Sequence, residues 1–364
     1  MRIHHISSRK RSSLLVALLC LMVSDAEGYG QCAVTSIPVG DGATLISNSP
    51  VDLDGDIAVI GDMSDEPFGF RSGSVKVRRF NGSVWVEEAI LTASNGALGD
   101  WFGTRVAISG EVIAVAAFAF NNPVNAVGAA YIYRYNPTTM VWEEEAILTR
   151  QTAAPASNSG FFGANLALDH SGFFGANLAL DGDVVAIAGL TVNGAGENIM
   201  GAHIFRYNPT TIAWEFEQVV TIADSPGALL PNNWMALDGN VLIAGEPFAS
   251  FDIGKGAAWI YRFDGATWNL DVKISSPTTT SISLDFFGVA VDVKGDMAVI
   301  GVPNDSDLPS GGTVGAVYVY EYDGANWNFS QKVVPANTAP LEYRFFGTSL
   351  SLAVDAMLVG TISE

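Results

Sequence analysis

Short apolar runs in alternating register fill this chain, and no segment sustains the period of an amphipathic helix. The stretch Leu178 to Gly189 shows the unit: Leu178-Ala179-Leu180 and Val184-Val185-Ala186-Ile187 are β-prone runs that flank Asp181-Gly182-Asp183. Glycine there supplies the positive φ that a tight hairpin demands. The same hairpin is predicted at Asp54-Gly55, Asp238-Gly239 and Lys294-Gly295. A third strand follows each hairpin, as in Ala130-Tyr131-Ile132-Tyr133 or Ala316-Val317-Tyr318-Val319. A turn at Asn136-Pro137, Asn208-Pro209, Asp264-Gly265 or Asp323-Gly324 then leads to a tryptophan that opens a fourth strand.

Aligned on itself, the chain repeats this four-strand unit with a period of roughly 57 residues. Two independent landmarks keep step: Gly55, Gly110, Gly182, Gly239 and Gly295 in the hairpins, and Trp85, Trp142, Trp214, Trp268 and Trp327 at the fourth strands. The approximate repeats are 45–99, 100–158, 171–229, 230–284 and 285–342, with a partial sixth at 343–364. Residues 159–170 are a duplicated insert, copied almost letter for letter at residues 171–182. An antiparallel four-stranded unit cannot bury both faces alone, so successive units are expected to stack around an axis. The fold class is therefore all-β, a β-propeller of four-stranded antiparallel blades with six starts, the last incomplete, and six or seven blades in all. One expectation is that Cys32 to Ile37 pairs into the last blade as a closing strand; a truncated product is the other.

Trp101-Phe102-Gly103-Thr104-Arg105-Val106 and Phe286-Phe287-Gly288-Val289-Ala290-Val291, followed by Gly128-Ala129 and Gly315-Ala316, resemble the FG-GAP repeats of bacterial secreted proteins. Those repeats are similar in turn to the propeller of integrin alpha subunits. The resemblance covers essentially all of residues 31–364. Ser47-Asn48 and Pro231-Asn232 depart from it in the first and fourth units.

The amino terminus changes the setting. Arg2, Arg9, Lys10 and Arg11 precede an apolar run from Leu14 to Val23 and small residues at Ala26, Gly28 and Gly30, the layout of a secretory signal peptide over residues 1–30. The run is about half of the ~20 apolar residues that span a bilayer, and no later stretch approaches that length. A secreted or cell-surface protein with no membrane span in its mature form is expected. Cys20 lies in the apolar run, so Cys32 alone would survive and no internal disulfide could form. A net charge of −20 speaks against nucleic acid and anionic lipid as partners.

Candidate chemistry is sparse. Integrin-type repeats hold calcium in an Asp-x-Asp-x-Asp-Gly loop, and the resemblance raises that ion as a weak possibility. The equivalent segments here are bare hairpins that offer no loop to wrap a cation. Asp62, Asp65 and Glu66 in the first unit, and Asp305 and Asp307 in the fifth, form the better cation or ligand loops, against a reading as solvated acidic loops. No cofactor and no confident metal site is assigned. Beyond residue 30 the only histidines are His170 and His203, and no nucleophile–base pair emerges. The register-matched tryptophans suit packing between blades better than sugar stacking.

The expected function is a non-catalytic interaction or adhesion module that binds an extracellular protein or glycan through its long loops. A polysaccharide-acting hydrolase or lyase, or a structural envelope or matrix protein, is the alternative. In a four-stranded meander the 2→3 and 4→1 connections share one face. Here those connections are long and differ between repeats, which places recognition on that face.

Overall fold

The computed structural model describes residues 50–117, 128–149, 177–192, 198–222, 235–247, 256–277, 285–305, 314–335, 344–354 and 356–362, with the backbone of Arg2–Ser7, Leu21–Val23 and Gln31–Ala33. The described residues contain strands and turns and no α-helix. Five sheets have four strands in simple meander order. Blade 1 is Val51–Asp54, Ile57–Asp62, Ser74–Phe80 and Trp85–Leu91. Blade 2 is Arg105–Ser109, Val112–Ala117, Ala129–Asn136 and Val141–Thr149, and blade 3 is Leu178–Asp181, Val184–Val192, Asn198–Asn208 and Ala213–Thr221. Blade 4 is Met235–Asp238, Val241–Glu246, Ala257–Phe263 and Trp268–Ser275; blade 5 is Val291–Lys294, Met297–Val302, Ala316–Tyr322 and Trp327–Val333. The chain is a β-propeller, with its blades meeting in sequence through their first strands.

Blade 6 departs from the pattern. Arg344–Leu352 pairs antiparallel with Ala356–Ile362, whose other edge carries Arg2–Ser7 running parallel. The expectation of a closing strand at Cys32 to Ile37 is corrected in part: Gln31–Ala33 pairs with Leu21–Val23, and residues 34–37 lie outside the described residues. The duplicated insert 159–170 also lies outside them.

The core sits between blades. Phe102, Val59 and Val77 pack with Ile113, Val115 and Tyr131 across blades 1 and 2, and every later cluster likewise draws on two neighbouring blades. The Phe-Gly landmark acquires a physical reason here. Trp101, Phe286 and Phe345 adopt φ of 53°, 57° and 63°, and the glycine two residues on is again left-handed, which turns the intervening phenylalanine inward. Phe102, Phe287 and Phe346 are buried. The backbone of these three Phe-Gly pairs then rests on two glycines of the preceding blade, one near the end of its second strand and one opening its third. A Cβ on Gly61, Gly245 or Gly301 would collide with the carbonyl oxygen of Gly103, Gly288 or Gly347. One on Gly73, Gly256 or Gly315 would strike that of Phe102, Phe287 or Phe346. Blades 2 and 3 have Ala116 and Ala188 at the first of these places.

The hairpins are offset by one residue from the Asp-Gly reading. Asp54 pairs with Ile57, so Gly55 and Asp56 are the turn, and Gly55 stands first with φ 57°, where a II′-type hairpin wants glycine. Asp54 is thereby free to reach sideways. Its Oδ2 accepts from Gly110 N in blade 2 at 2.6 Å, and Ser109, Asp181 and Asp238 do the same for Gly182, Gly239 and Gly295.

An outer tie recurs as well. Pairing of the third and fourth strands slips once in each of the five blades, and the extra residue on the fourth strand is Glu88, Glu145, Glu217, Asp271 or Ser330. Such a bulge re-aims a side chain. Glu217 accepts from Arg206 Nε of its own blade at 2.7 Å and from Trp268 Nε1 of blade 4 at 2.7 Å. Arg206 in turn lies 4.5 Å above the Phe263 ring of blade 4. Arg79–Glu88–Trp142, Arg134–Glu145–Trp214 and Arg262–Asp271–Trp327 repeat the arrangement. Blade 5 carries Glu321 and Ser330 instead, bonded to one another.

Two stability outcomes are expected. Gly301→Ala places a methyl against backbone that cannot yield and should destabilise by about 1–3 kcal/mol in urea unfolding. Glu217→Ala strands the buried Trp268 indole N–H and should lose about 1–3 kcal/mol, whereas Ser330→Ala should lose less than about 1 kcal/mol.

Candidate functional site

In blade 1 the 2→3 connection lies against the 4→1 connection that follows its fourth strand, and the candidate acids start there. Asp62 ends the second strand of blade 1. Its Oδ1 accepts from Ser64 Oγ at 2.6 Å, and Oδ2 stands 3.7 Å from Lys76 Nζ. Asp65 accepts from Ser74 Oγ at 2.6 Å and from the Glu66 N–H at 2.9 Å, and the Glu66 side chain is exposed. Asp305 occupies the same place in blade 5 as Asp65 does in blade 1: each N–H bonds back three residues and each carbonyl accepts from the glycine that opens the third strand. Asp305 is fully buried, and its carboxylate takes Lys332 Nζ at 2.9 Å and Tyr318 Oη at 2.7 Å. Asp307 lies outside the described residues. The structure thus turns these acids to separate local partners in two blades, and among the described residues no group of three or more His, Cys, Asp or Glu could hold a metal ion. The hairpin acids are engaged too, in the ties to neighbouring glycines and, for Asp56, with Arg79 at 3.1 Å.

What the face does present is an aromatic patch that composition gives no reason to single out. In the 2→3 connection of blade 1, Phe68 and Phe70 are 48% and 57% exposed, and Leu98 in the next connection is 51% exposed. Arg71 holds φ 55°, and its guanidinium lies 5.1 Å from the Phe70 ring centroid and 5.3 Å from that of Trp101. Among the described residues no carboxylate pairs with Arg71. The two connections are stitched together: Gly99 N donates to Phe70 O at 2.9 Å, Trp101 N to Arg71 O at 3.0 Å and Phe102 N to Ser72 O at 3.0 Å. Phe68 N donates to Ser72 Oγ at 3.0 Å within the loop. These bonds fix the patch before any ligand arrives.

The axis holds a second set of acids. Asp52 and Asp292 take the same place on the first strands of blades 1 and 5, where blades 2, 3 and 4 have Ala107, Ala179 and Ala236. Asp52 accepts from Leu53 N at 2.9 Å and from Ile108 N of blade 2 at 2.8 Å. Asp292 accepts from Val293 N at 2.8 Å and from Leu352 N of blade 6 at 2.6 Å. Burial raises both carboxyls against these bonds, and Asp292, which also feels the charge of Asp52, is pushed up to about 6. Off the axis, burial lifts Glu246 to about 7 despite the bond it accepts from Trp259 Nε1. His203 is fully buried on the third strand of blade 3, in register with Tyr131 and Tyr318.

The sequence matches the FG-GAP repeat family over residues 85–133 and 281–320. Each match runs from the fourth strand or the connection before Phe-Gly into the third strand of a blade. The chain carries FG-GAP repeats. Each matched segment holds a Phe-Gly turn, Phe102-Gly103 in the first and Phe287-Gly288 in the second, and the second also holds the seat glycines Gly301 and Gly315. No curated protein matches the sequence significantly. Solved structures similar to this FG-GAP propeller include the periplasmic gluconolactonase PpgL of Pseudomonas aeruginosa, at 13% identity and a TM-score of 0.47, covering 88% of this chain and 79% of that one. A putative 6-phosphogluconolactonase of Bacteroides fragilis follows at 11% identity, 84% and 86% coverage and a TM-score of 0.36. Sqt1 of Saccharomyces cerevisiae matches at 10%, 85% and 79%, with a TM-score of 0.41. Likenesses this distant speak to neither substrate nor reaction. Among the described residues no helix of the FG-GAP propeller is long and apolar enough to cross a membrane.

The axial acids give a pH dependence of known sign. Asp292 binds a proton in the folded chain at pH values where the unfolded chain, with its carboxyl near 3.8, has already lost it. Its contribution is therefore greatest below about pH 4 and fades as the pH rises through about 6. In urea unfolding, the stability of Asp292→Asn relative to the parent should rise by about 1–3 kcal/mol between pH 4 and pH 7, at about 1.4 kcal/mol per pH unit of separation.

Proposed function

We propose that this FG-GAP propeller is a non-catalytic extracellular interaction module, and that it binds a protein partner through the patch formed by Phe68, Phe70, Arg71 and Leu98. The observation that carries the reading is the patch itself: large apolar side chains held out to solvent on a hydrogen-bonded double loop. Buried aromatics and arginines dominate protein interfaces. The rings are phenylalanines with Pro67, Gly69 and Ala97 beside them, so they offer the hydroxyl-rich surface of a sugar few polar partners. Arg71 adds a positive charge, without a carboxylate partner among the described residues, to a chain of net charge −20. The fitting surface is an apolar side chain next to a carboxylate.

The alternative, a hydrolase or lyase acting on polysaccharide, draws on the raised pair Asp52 and Asp292. Each of these carboxylates already accepts two backbone N–H bonds, one from the next blade, which supports a role as ties between first strands.

A displayed random-peptide library selected on the full chain tests the reading, with a glycan array run in parallel. Selected peptides should combine apolar and acidic residues and lose at least tenfold in affinity on the Phe68→Ala/Phe70→Ala double variant, about 1.4 kcal/mol or more. The unfolding midpoint should stay within a degree or two, because both rings are exposed. Glycan signals that vanish with the same double variant, beside peptides indifferent to it, would replace the protein partner with a carbohydrate.

A further inference from the structure

Each of the five turns between third and fourth strands contains one left-handed residue. In blades 1, 4 and 5 it is Gly82, Gly265 and Gly324, with φ of 91°, 99° and 96°. In blades 2 and 3 it is Met140 and Ile212, at 57° and 54°. Met140 N donates to Asn136 O at 2.7 Å and closes a single helical turn, which glycine or asparagine ordinarily ends in this conformation. A β-branched residue such as Ile212 is a steric outlier there. The two side chains also stand out in solvent, 73% and 74% exposed, and neither joins an apolar cluster between blades among the described residues. Half-exposed Val84 and Val141 extend the row along blades 1 and 2. Strained backbone and exposed apolar area both oppose folding, and a pair of such residues on neighbouring blades marks a surface for contact.

The turns are fixed in shape and carry charge beside each apolar tip. Glu143 accepts from Asn136 Nδ2 at 3.0 Å and from Thr139 Oγ1 at 3.1 Å; Glu215 accepts from Asn208 Nδ2 at 3.1 Å and from Thr211 Oγ1 at 2.6 Å. Both carboxylates are exposed, and among the described residues neither meets a lysine or arginine. The roots of the two turns are fastened together: the Arg134 guanidinium lies 4.5 Å from the Tyr207 ring centroid, and Trp214 Nε1 donates to Glu145 at 2.8 Å. Glu111 adds a further exposed acid on the hairpin of blade 2, at the same end of the sheet.

We propose that Met140 and Ile212, with Glu143 and Glu215 beside them, dock a partner polypeptide segment in which apolar side chains stand between lysines or arginines. Charge complementarity commits the surface to this occupant, because each apolar tip is paired with a carboxylate that has no cation of its own. The same acids repel anionic lipid and a second copy of this face. This surface lies at the opposite end of the blades from the Phe68 patch, whose Arg71 calls for a partner of the other sign. The molecule thus offers two contact surfaces to two different chemistries.

A displayed random-peptide library is selected on the full chain carrying Phe68→Ala/Phe70→Ala, so that the first patch is absent and the two readings fail separately. Selected peptides should set Leu, Ile or Phe beside Lys or Arg. Met140→Asn/Ile212→Asn should weaken them at least about tenfold, and Glu143→Gln/Glu215→Gln at least about threefold. Asparagine suits the left-handed turn, so the first double variant should keep or raise the unfolding midpoint while it loses binding. Should it unfold, Met140→Gly/Ile212→Gly takes its place. A library that yields no basic peptides, or peptides whose affinity the turn variants leave unchanged, would overturn the proposal. Flotation with phosphatidylcholine vesicles that the same variant abolishes would replace the polypeptide with a membrane, and self-association in sedimentation that it abolishes would replace it with a second copy of the chain.

Discussion

A carboxylate lifted out of the fourth strand by one extra residue receives a guanidinium from its own blade and an indole from the next. The rest of the architecture depends on this shared acceptor. Hydrophobic area alone would let two twisted sheets slide over one another, since side chains such as Val59, Val115 and Ile187 are close to interchangeable in size and chemistry. A half-buried acid with two directed donors has one solution, and the aromatic ring under the guanidinium adds a planar contact in the same place. Net worth is modest for a partly exposed pair. Its value lies in fixing the stagger between blades, so that each Phe-Gly turn meets the glycines shaped to receive it.

Much of this is legible in the sequence, and the reasons for the rest are specific. Hairpin glycines and tryptophans announce the repeat because turn chemistry and a large indole tolerate few substitutes. The Asp-Gly pairs read as turn residues, yet the aspartate belongs to the strand and reaches the next blade, a distinction of one residue that only pairing register reveals. The bulge acids do leave a signal: Trp-x-x-Glu or Asp recurs at Trp85-Glu88, Trp142-Glu145, Trp214-Glu217 and Trp268-Asp271, and gives way to Ser330 after Trp327. A strict two-residue alternation hides such a residue, because the bulge shifts the phase.

Among candidate site residues, the acidic loops stand out by charge and spacing, and folding turns Asp62, Asp65 and Asp305 toward serine, lysine and tyrosine nearby. Asp305 goes furthest, into a fully buried pair with Lys332, a residue on the fourth strand that no loop-based reading would consult. The Phe68–Phe70–Arg71 patch escapes sequence reasoning for the opposite reason. Phenylalanine in a β-rich chain reads as core, and only the backbone bonds between two separate connections hold these rings outside. The twin axial aspartates are invisible too, since nothing in a linear repeat says that blades 1 and 5 approach one another.

The tie also has a direction: blades 1 to 4 offer arginine and acid forward, and blades 2 to 5 receive through tryptophan and an aromatic ring behind. A chain of such one-way couplings has two terminal seams, and both fall at blade 6, between Glu321 and Ser330 on one side and Trp85 on the other. Loss of structure in such an array starts where coupling is absent and travels inward. Blades 2 to 4, coupled on both flanks, become the slow-exchanging heart of the molecule, and the seam at blade 6 becomes the place where it breathes.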